Sequence, residues 1–220
     1  MSTIALHPNL VVPKSKALAA LFTKMRDVNT QSAEFTFYSK RAMKILAEEA
    51  IAELPSTIST IQTPCGPFEG THIDTNNLCA VSIIRSGDAL LESVRECIPS
   101  VAVGKILIQR NDESQEKEAK FYYSKMPPGV EDMNILLCDP MLATGGSAKA
   151  AIECLVQKHG VKTERILFAN MITCPEGLKA MADDYPEIKI ITACVDDKLN
   201  EEKYIVPGLG DYGDRFFNTV

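Results

Sequence analysis

The sequence predicts an α/β protein built on a mostly parallel central sheet flanked by helices, and three observations carry that prediction. Short apolar runs with strong β character recur at Asn77 to Ile84, Val101 to Gln109, Asn134 to Cys138, Arg165 to Thr173 and Glu187 to Val195. Helical patterns separate several of them, and such alternation packs a parallel sheet between helices. One run, Asn134 to Cys138, leads through a glycine-containing loop straight into a helical stretch, Ala148 to Lys158, which is a strand, loop, helix unit.

Taken in order, the first 30 residues carry little signal and read as an N-terminal extension. Met1 to Ala20 has no apolar run behind a basic segment, so no secretory signal is expected. From Gln31 to Leu54, Phe35, Tyr38, Ala42, Ile45, Leu46 and Ala50 fall at steps of three and four, with Lys40, Arg41, Lys44 and Glu48 between them. That spacing predicts an amphipathic helix. After the strand ending at Gln109, Arg110 begins a polar run, Asn111 to Glu118, ahead of the β-like Lys120 to Tyr123. This reads as a hairpin arm over 110–125 with a solvated tip.

The 220 residues suit a single α/β domain, 1–220, with an elaborated arm. At 45% hydrophobic and 24% charged, the composition is that of an ordinary globular protein. The net charge of -6 has the wrong sign for a protein whose main partner is a nucleic-acid backbone, so no nucleic-acid partner is expected. No apolar stretch is long enough to cross a membrane, and a cytoplasmic protein with no membrane partner is expected. Seven cysteines lie in apolar surroundings with no C-x-x-C pair, and His7, His72 and His159 stand far apart. Neither a zinc site nor a disulfide framework fits, which leaves reduced core thiols.

In an open sheet of this kind, ligands bind beyond the carboxyl ends of the strands, so the loops there carry the function. Thr144, Gly145, Gly146 and Ser147 can aim backbone N–H groups and two hydroxyls at one point, where a helix dipole favours a phosphate. Taken alone, this tetrapeptide reads as an N-cap and a tight turn. Asp139 changes the balance, because a carboxylate at the strand end is placed to accept from ribose hydroxyls or to hold Mg²⁺ through water. The loop is neither a Walker A sequence nor G-x-G-x-x-G, which weakens triphosphate and dinucleotide readings. Near the C-terminus, Pro207, Gly208, Gly210 and Gly213 impose a compact loop whose backbone can approach a ligand closely.

Two motifs carry a family resemblance: DPMLATGGS, Asp139 to Ser147, and YIVPGLGDYGDR, Tyr204 to Arg215. The chain resembles the type I phosphoribosyltransferases, and uracil phosphoribosyltransferases in particular, from about Leu78 onwards. GKILIQR, Gly104 to Arg110, is most similar to the eukaryotic members. The resemblance implies the fold of that group, with a hairpin arm and a uracil-binding segment over 196–220. It implies transfer of uracil to 5-phosphoribosyl 1-diphosphate (PRPP), giving UMP and diphosphate, with Mg²⁺ as cofactor. PRPP would be held by Arg85, Arg110 and Asp211 and by the loop Asp139, Pro140, Met141, Leu142, Ala143, Thr144, Gly145, Gly146 and Ser147. Uracil would be read by the main chain of Ile205, Gly210 and Tyr212, with Asp211 beside it.

The resemblance makes Asp139, Arg110 and Asp211 the catalytic candidates, with Asp211 a candidate base for uracil N1. No direct protein ligands to the metal are expected: Mg²⁺ would come with PRPP, and Asp211 would reach it through water. A homodimer or homotetramer is implied, while the activation by GTP seen in some relatives leaves no signature. Arg85 is followed by Ser86 where the family usually has alanine, and Tyr212 stands where many bacterial members have alanine, so Tyr212 is expected to shape the pocket edge. The main rival is a non-catalytic regulator on the same fold that senses PRPP or UMP. Orotate or purine transfer is a second rival, although an orotate site needs an added cation and the tail offers only Arg215. A dehydrogenase lacks its glycine fingerprint.

Overall fold

A computed structural model describes residues 6–110 and 119–219. The chain begins with β1 (Leu10–Val11), α1 (Lys16–Arg26), α2 (Ser32–Ala52) and an antiparallel pair, β2 (Ser56–Thr63) with β3 (Gly66–Ile73). There follow β4 (Leu78–Ile84), α3 (Gly87–Cys97), β5 (Ala102–Arg110), β6 (Ala119–Lys125), β7 (Asn134–Cys138), β8 (Met141–Leu142) and α4 (Gly146–Glu153). The last elements are β9 (Ile166–Thr173), α5 (Pro175–Asp184), β10 (Lys189–Val195), a small ribbon of β11 (Lys198–Leu199) and β12 (Ile205–Val206), and α6 (Tyr212–Phe217).

The main sheet has the order β1-β10-β9-β7-β4-β5-β6, parallel throughout except for β6, which runs antiparallel to β5. The five expected strands are present, shifted by a residue or two at their ends. Their side chains alternate between two cores. Leu78, Ala80, Leu136, Leu167 and Ala169 face α1, α2 and α3, whereas Cys79, Val81, Ile135, Leu137 and Phe168 face α4 and α5. Burial on both faces explains why these strands read as continuous apolar runs.

The predicted helix over 31–54 is α2, and it buries Phe35, Ala42, Met43, Leu46, Ala47 and Ala50 at 0% exposure. The N-terminal stretch, featureless in sequence, folds as α1, with Leu18, Leu21, Phe22 and Met25 buried in the same core and Ser15 capping its start. The ribbon of β2 and β3 carries Ile58, Ile61 and Phe68 exposed on its surface.

The strand order places the site. From β4 the chain steps to β5 on one side, then returns to β7 on the other, so β4 and β7 are neighbours whose connections leave in opposite directions. A crevice opens beyond the carboxyl ends of such a strand pair. Ser82 of β4 lies in register with Cys138 of β7. The next residues on each strand bring Arg85 and Ser86 alongside Asp139.

Candidate active site

Three turns converge above that switch point. The first follows β4, where the Ile84–Arg85 peptide is cis and Gly87 opens α3. A β-carbon on Gly87 would collide with the Cys138 carbonyl oxygen and crowd Ser82 Oγ, so only glycine lets this turn lie flat against β7. Beneath it, Asp88 accepts from Lys105 Nζ and from Ser82 Oγ, both at 2.5 Å.

The second turn follows β7. Asp139 is 7% exposed and accepts from Ser86 Oγ at 3.2 Å, a contact that ties the first two turns together. Pro140 turns its carbonyl to Met171 and Ile172 N–H of β9, and the Leu142 side chain is 1% exposed in the core beneath α5. Gly145 has φ of 86° and caps α4, so Ser147 stands in the first turn of the helix and is not its cap, as the plainest reading of the loop had it. Thr144 Oγ1 accepts from Gly146 N–H at 3.4 Å. Gly177 of α5 backs the loop so closely that a β-carbon there would stand 2.5 Å from Ala143 O and 2.7 Å from Leu142 O.

The third turn runs from β12 into α6. Val206–Pro207 is cis, and Gly208 and Gly210 have φ of 62° and 80°. Asp211 caps α6 by accepting from Asp214 N–H at 2.9 Å. The phenol of Tyr212 points away from the crevice. It is 1% exposed, packs edge-on to Phe35 and stacks on Phe216, and hydrogen-bonds to Ser39 of α2. Burial pushes this phenol well up, so it stays neutral. Tyr212 is among the residues that line the crevice, as expected, and its buried ring also anchors the turn against α2.

Side chains from distant elements hold the third turn. Asp196, just beyond β10, accepts from Gly208 N–H at 2.7 Å and from both terminal nitrogens of Arg26, at 2.7 and 2.5 Å. Burial works against the charged form of Asp196, but the Arg26 and Gly208 hydrogen bonds outweigh it and keep this carboxyl below the usual carboxylate range. A depressed folded-state value makes the contribution of the pair complete at neutral pH, and it fades only as pH falls through that lowered value. Arg215 donates to Met25 O and Leu209 O, both at 2.6 Å, and lies over the Phe35 ring.

The three turns line one cavity of about 390 Å³. Of the residues expected to hold PRPP, Arg85, Asp139, Met141, Ala143, Ser147 and Asp211 line it. The backbones or side chains of Ile205, Gly210 and Tyr212 line it from the other side. Pro140, Leu142, Thr144, Gly145 and Gly146 are not among its lining residues, and they shape the loop from behind or beside it. Arg110 ends β5, and its side chain lies outside the described residues, as does the tip of the expected arm. Arg85 pairs with Asp214 at 2.8 Å and donates to Thr219 Oγ1 at 3.2 Å, so the C-terminal helix holds it at the cavity wall. Thr219 and Arg85 together keep the Asp214 carboxyl below its usual range.

Sequence reasoning missed Ser86 as a partner of Asp139, the rim residues Glu202 and Lys203, and the pair Arg26 and Asp196. Asp196 could have been found as an acid at a strand's carboxyl end. Arg26 carried no local signal.

Residues 12–219 match the uracil phosphoribosyltransferase family. The chain is 42% identical over 221 residues to uracil phosphoribosyltransferase 1 of Schizosaccharomyces pombe, covering 100% of this chain and 99% of that protein. It is 42% identical over 213 residues to the uracil phosphoribosyltransferase of Dictyostelium discoideum, covering 96% and 97%. A solved structure from Aquifex aeolicus superposes with a TM-score of 0.80 at 28% identity, covering 94% of this chain and 97% of that one. The match begins far ahead of Leu78, where the recognisable motifs start, and takes in α1 and α2. With a type I phosphoribosyltransferase sheet and a cavity framed by both motifs, the chain belongs to the uracil phosphoribosyltransferase family.

Proposed function

We propose that the cavity beyond β4 and β7 is where this uracil phosphoribosyltransferase joins uracil N1 to the anomeric carbon of PRPP, releasing diphosphate and UMP. One observation carries this reading. The phosphate loop after β7 and the glycine-rich turn after β12 line the same cavity of about 390 Å³, so a single nucleotide can touch both.

The roles follow from position. The turn from Thr144 to Ser147 receives the 5-phosphate at the start of α4, with the loop from Pro140 to Ala143 setting its path. Asp139 faces the ribose hydroxyls and offsets positive charge as the anomeric carbon gains oxocarbenium character. Arg85 and Arg110 take the diphosphate oxygens, with the Arg85 guanidinium exchanging Asp214 for the more highly charged ligand. Ile205, Gly210 and Tyr212 present main-chain groups to the base edge. Cytosine is rejected because its exchanged donor and acceptor would face their like.

Asp211 is the carboxylate offered to the uracil N1 proton. The two turns together hold the reactants in line. Asp139 and Asp211 present hard oxygen donors to one cavity, which fits Mg²⁺ arriving with PRPP, with Asp211 reaching it through water. When bound, that ion would offset charge on the departing diphosphate.

Residues 1–220 are taken as one domain, with 1–30 adding α1 to its core, 110–125 as the arm and 196–220 as the base segment. The exposed Ile58, Ile61 and Phe68 support assembly into a homodimer or homotetramer. A second, mostly apolar cavity between α1 and α2 carries Lys24 and Arg41 on its wall, two cations that would suit an anionic effector such as GTP. The acidic balance supports small-molecule partners without nucleic acid, and the seven free cysteines support residence in the cytoplasm. No helix among the described residues is long and apolar enough to cross a membrane.

The test is formation of UMP from labelled uracil. Product is expected only when PRPP and Mg²⁺ are both present. Folded protein that binds PRPP and makes no UMP would establish the regulator instead.

A further inference from the structure

Leu209 packs into the core and its carbonyl accepts from Arg215 at 2.6 Å, which anchors the far end of the glycine-rich turn, while the peptide groups around Gly208 are held from outside it. Its path from the base-facing Ile205 to the base-facing Gly210 includes two glycines with positive φ, Gly208 and Gly210 itself. Such a segment keeps one conformation only when its peptide groups are held from outside. Gly208 is the midpoint, and both of its peptide groups are held by one ion pair. Asp196 Oδ2 accepts from Gly208 N–H at 2.7 Å, and Arg26 Nη1 donates to Gly208 O at 2.7 Å.

The pair is itself closed: both guanidinium nitrogens meet both carboxylate oxygens, and Cys194 Sγ lies 3.2 Å from Arg26 Nη2. Neither residue lines the cavity. The Asp196 side chain is only 4% exposed and that of Arg26 23%, so the carboxylate is buried behind the turn and the guanidinium partly so. Its backbone also faces the other half of the site. Asp196 N–H donates to Thr173 O at 2.8 Å, and Thr173 Oγ1 donates to Leu142 O of the phosphate loop at 2.9 Å. A continuous run of hydrogen bonds thus joins the base turn to the phosphate loop.

We propose that Arg26 and Asp196 are positioning residues for uracil: the pair fixes the peptide planes around Gly208, and so sets where Ile205 and Gly210 meet the base edge. This rests on the reading of the β12 turn as the uracil site. The guanidinium fork matters here, because its planar terminal nitrogens meet the two carboxylate oxygens side by side while one of them also reaches the Gly208 carbonyl, a spacing that the compact tetrahedral ammonium of lysine does not reproduce.

The experiment measures uracil and PRPP KM, kcat, the rate with cytosine and thermal stability for Arg26→Met, Arg26→Lys and Asp196→Asn. Uracil KM should rise on the order of tenfold to a hundredfold in Arg26→Met and Asp196→Asn, the range for lost hydrogen bonds to charged groups. It should rise less in Arg26→Lys. PRPP KM should stay within about twofold, as for an interaction confined to one substrate. Discrimination against cytosine should weaken in the same order.

A lowered melting temperature with unchanged uracil KM would overturn the proposal, and so would an equal rise in both KM values. If Arg26→Met does not fold, Arg26→Lys carries the same decision. Gly210→Val separates this inference from its foundation. Should that variant leave uracil KM unchanged, the β12 turn is not the base site. Should it raise uracil KM while the Arg26 and Asp196 variants do not, the site stands and the positioning role falls.

Discussion

The two halves of the cavity are built by different means. The phosphate half is made by the sheet: β7 delivers Asp139, the next six residues complete the turn, and α4 begins at Gly146. Its geometry comes from strand pairing and from close backbone approaches at Gly87 and Gly177. The base half has almost no regular structure beneath it, only a two-residue strand on each side of a short ribbon and a six-residue helix. It is held by side-chain contacts from Arg26, Ser39 and Asp196, and by Arg215 of α6, which reaches back to Leu209 O and across to Met25 O. A site for charged groups common to many substrates can rest on a rigid sheet. A site that tells one flat ring from another must set individual peptide groups, and in the proposed base half Arg26 and Asp196 hold those of Gly208.

The largest expected effect breaks the chemistry and spares base recognition. Asp139→Asn keeps the side-chain volume and removes the charge, and kcat should fall on the order of 10²- to 10³-fold, the usual cost of a lost electrostatic stabiliser. Uracil affinity, read by uracil KM, should change by less than about threefold. Parental turnover in this variant would remove Asp139 from the mechanism.

Next comes the sheet-built half. In Gly87→Ala the new methyl meets the Cys138 carbonyl, and unfolding free energy should drop by about 1 to 3 kcal/mol, with PRPP KM rising as the Arg85 turn is pushed away. Urea denaturation and PRPP titration check the two parts. An unchanged PRPP KM would show that the turn does not depend on its contact with β7.

Tyr212→Phe acts on the clamp beneath the base half. It deletes the phenol while keeping the rings against Phe35 and Phe216, and leaves buried Ser39 without that partner, so stability should fall by about 1 kcal/mol. A denaturation midpoint equal to the parent's would mean the hydroxyl contributes nothing.

Smallest is Ser86→Ala, which installs the usual family residue and removes the hydroxyl that donates to Asp139. Its kcat should fall by about fivefold or less, with little change in melting temperature. A faster enzyme would show that the hydroxyl restrains Asp139 instead of orienting it.

The contrast between the halves also explains what could be read from the sequence. The strands were legible because burial on both faces writes them as unbroken apolar runs. The phosphate loop was legible because its parts are consecutive, from Asp139 to Ser147. The base turn announced itself through Pro207 and its glycines, yet what holds it did not. Arg26 and Gly208 are 182 positions apart, and no local pattern relates them. Ser86 was visible only as a departure from a family habit, and the direction of the Tyr212 ring follows from the position of α2, which periodicity does not fix. β2 and β3 escaped notice because two exposed strands bury too little to write an apolar stripe.

Tyr212 also constrains how base preference can change. It lines the cavity while its ring completes the packing of α2, so any remodelling of the pocket at this position is at the same time a substitution in the structural heart of the protein. Altered pyrimidine choice should therefore be reached most cheaply at the mouth, through Glu202, Lys203 and Tyr204, where a side chain can be exchanged without unseating a helix.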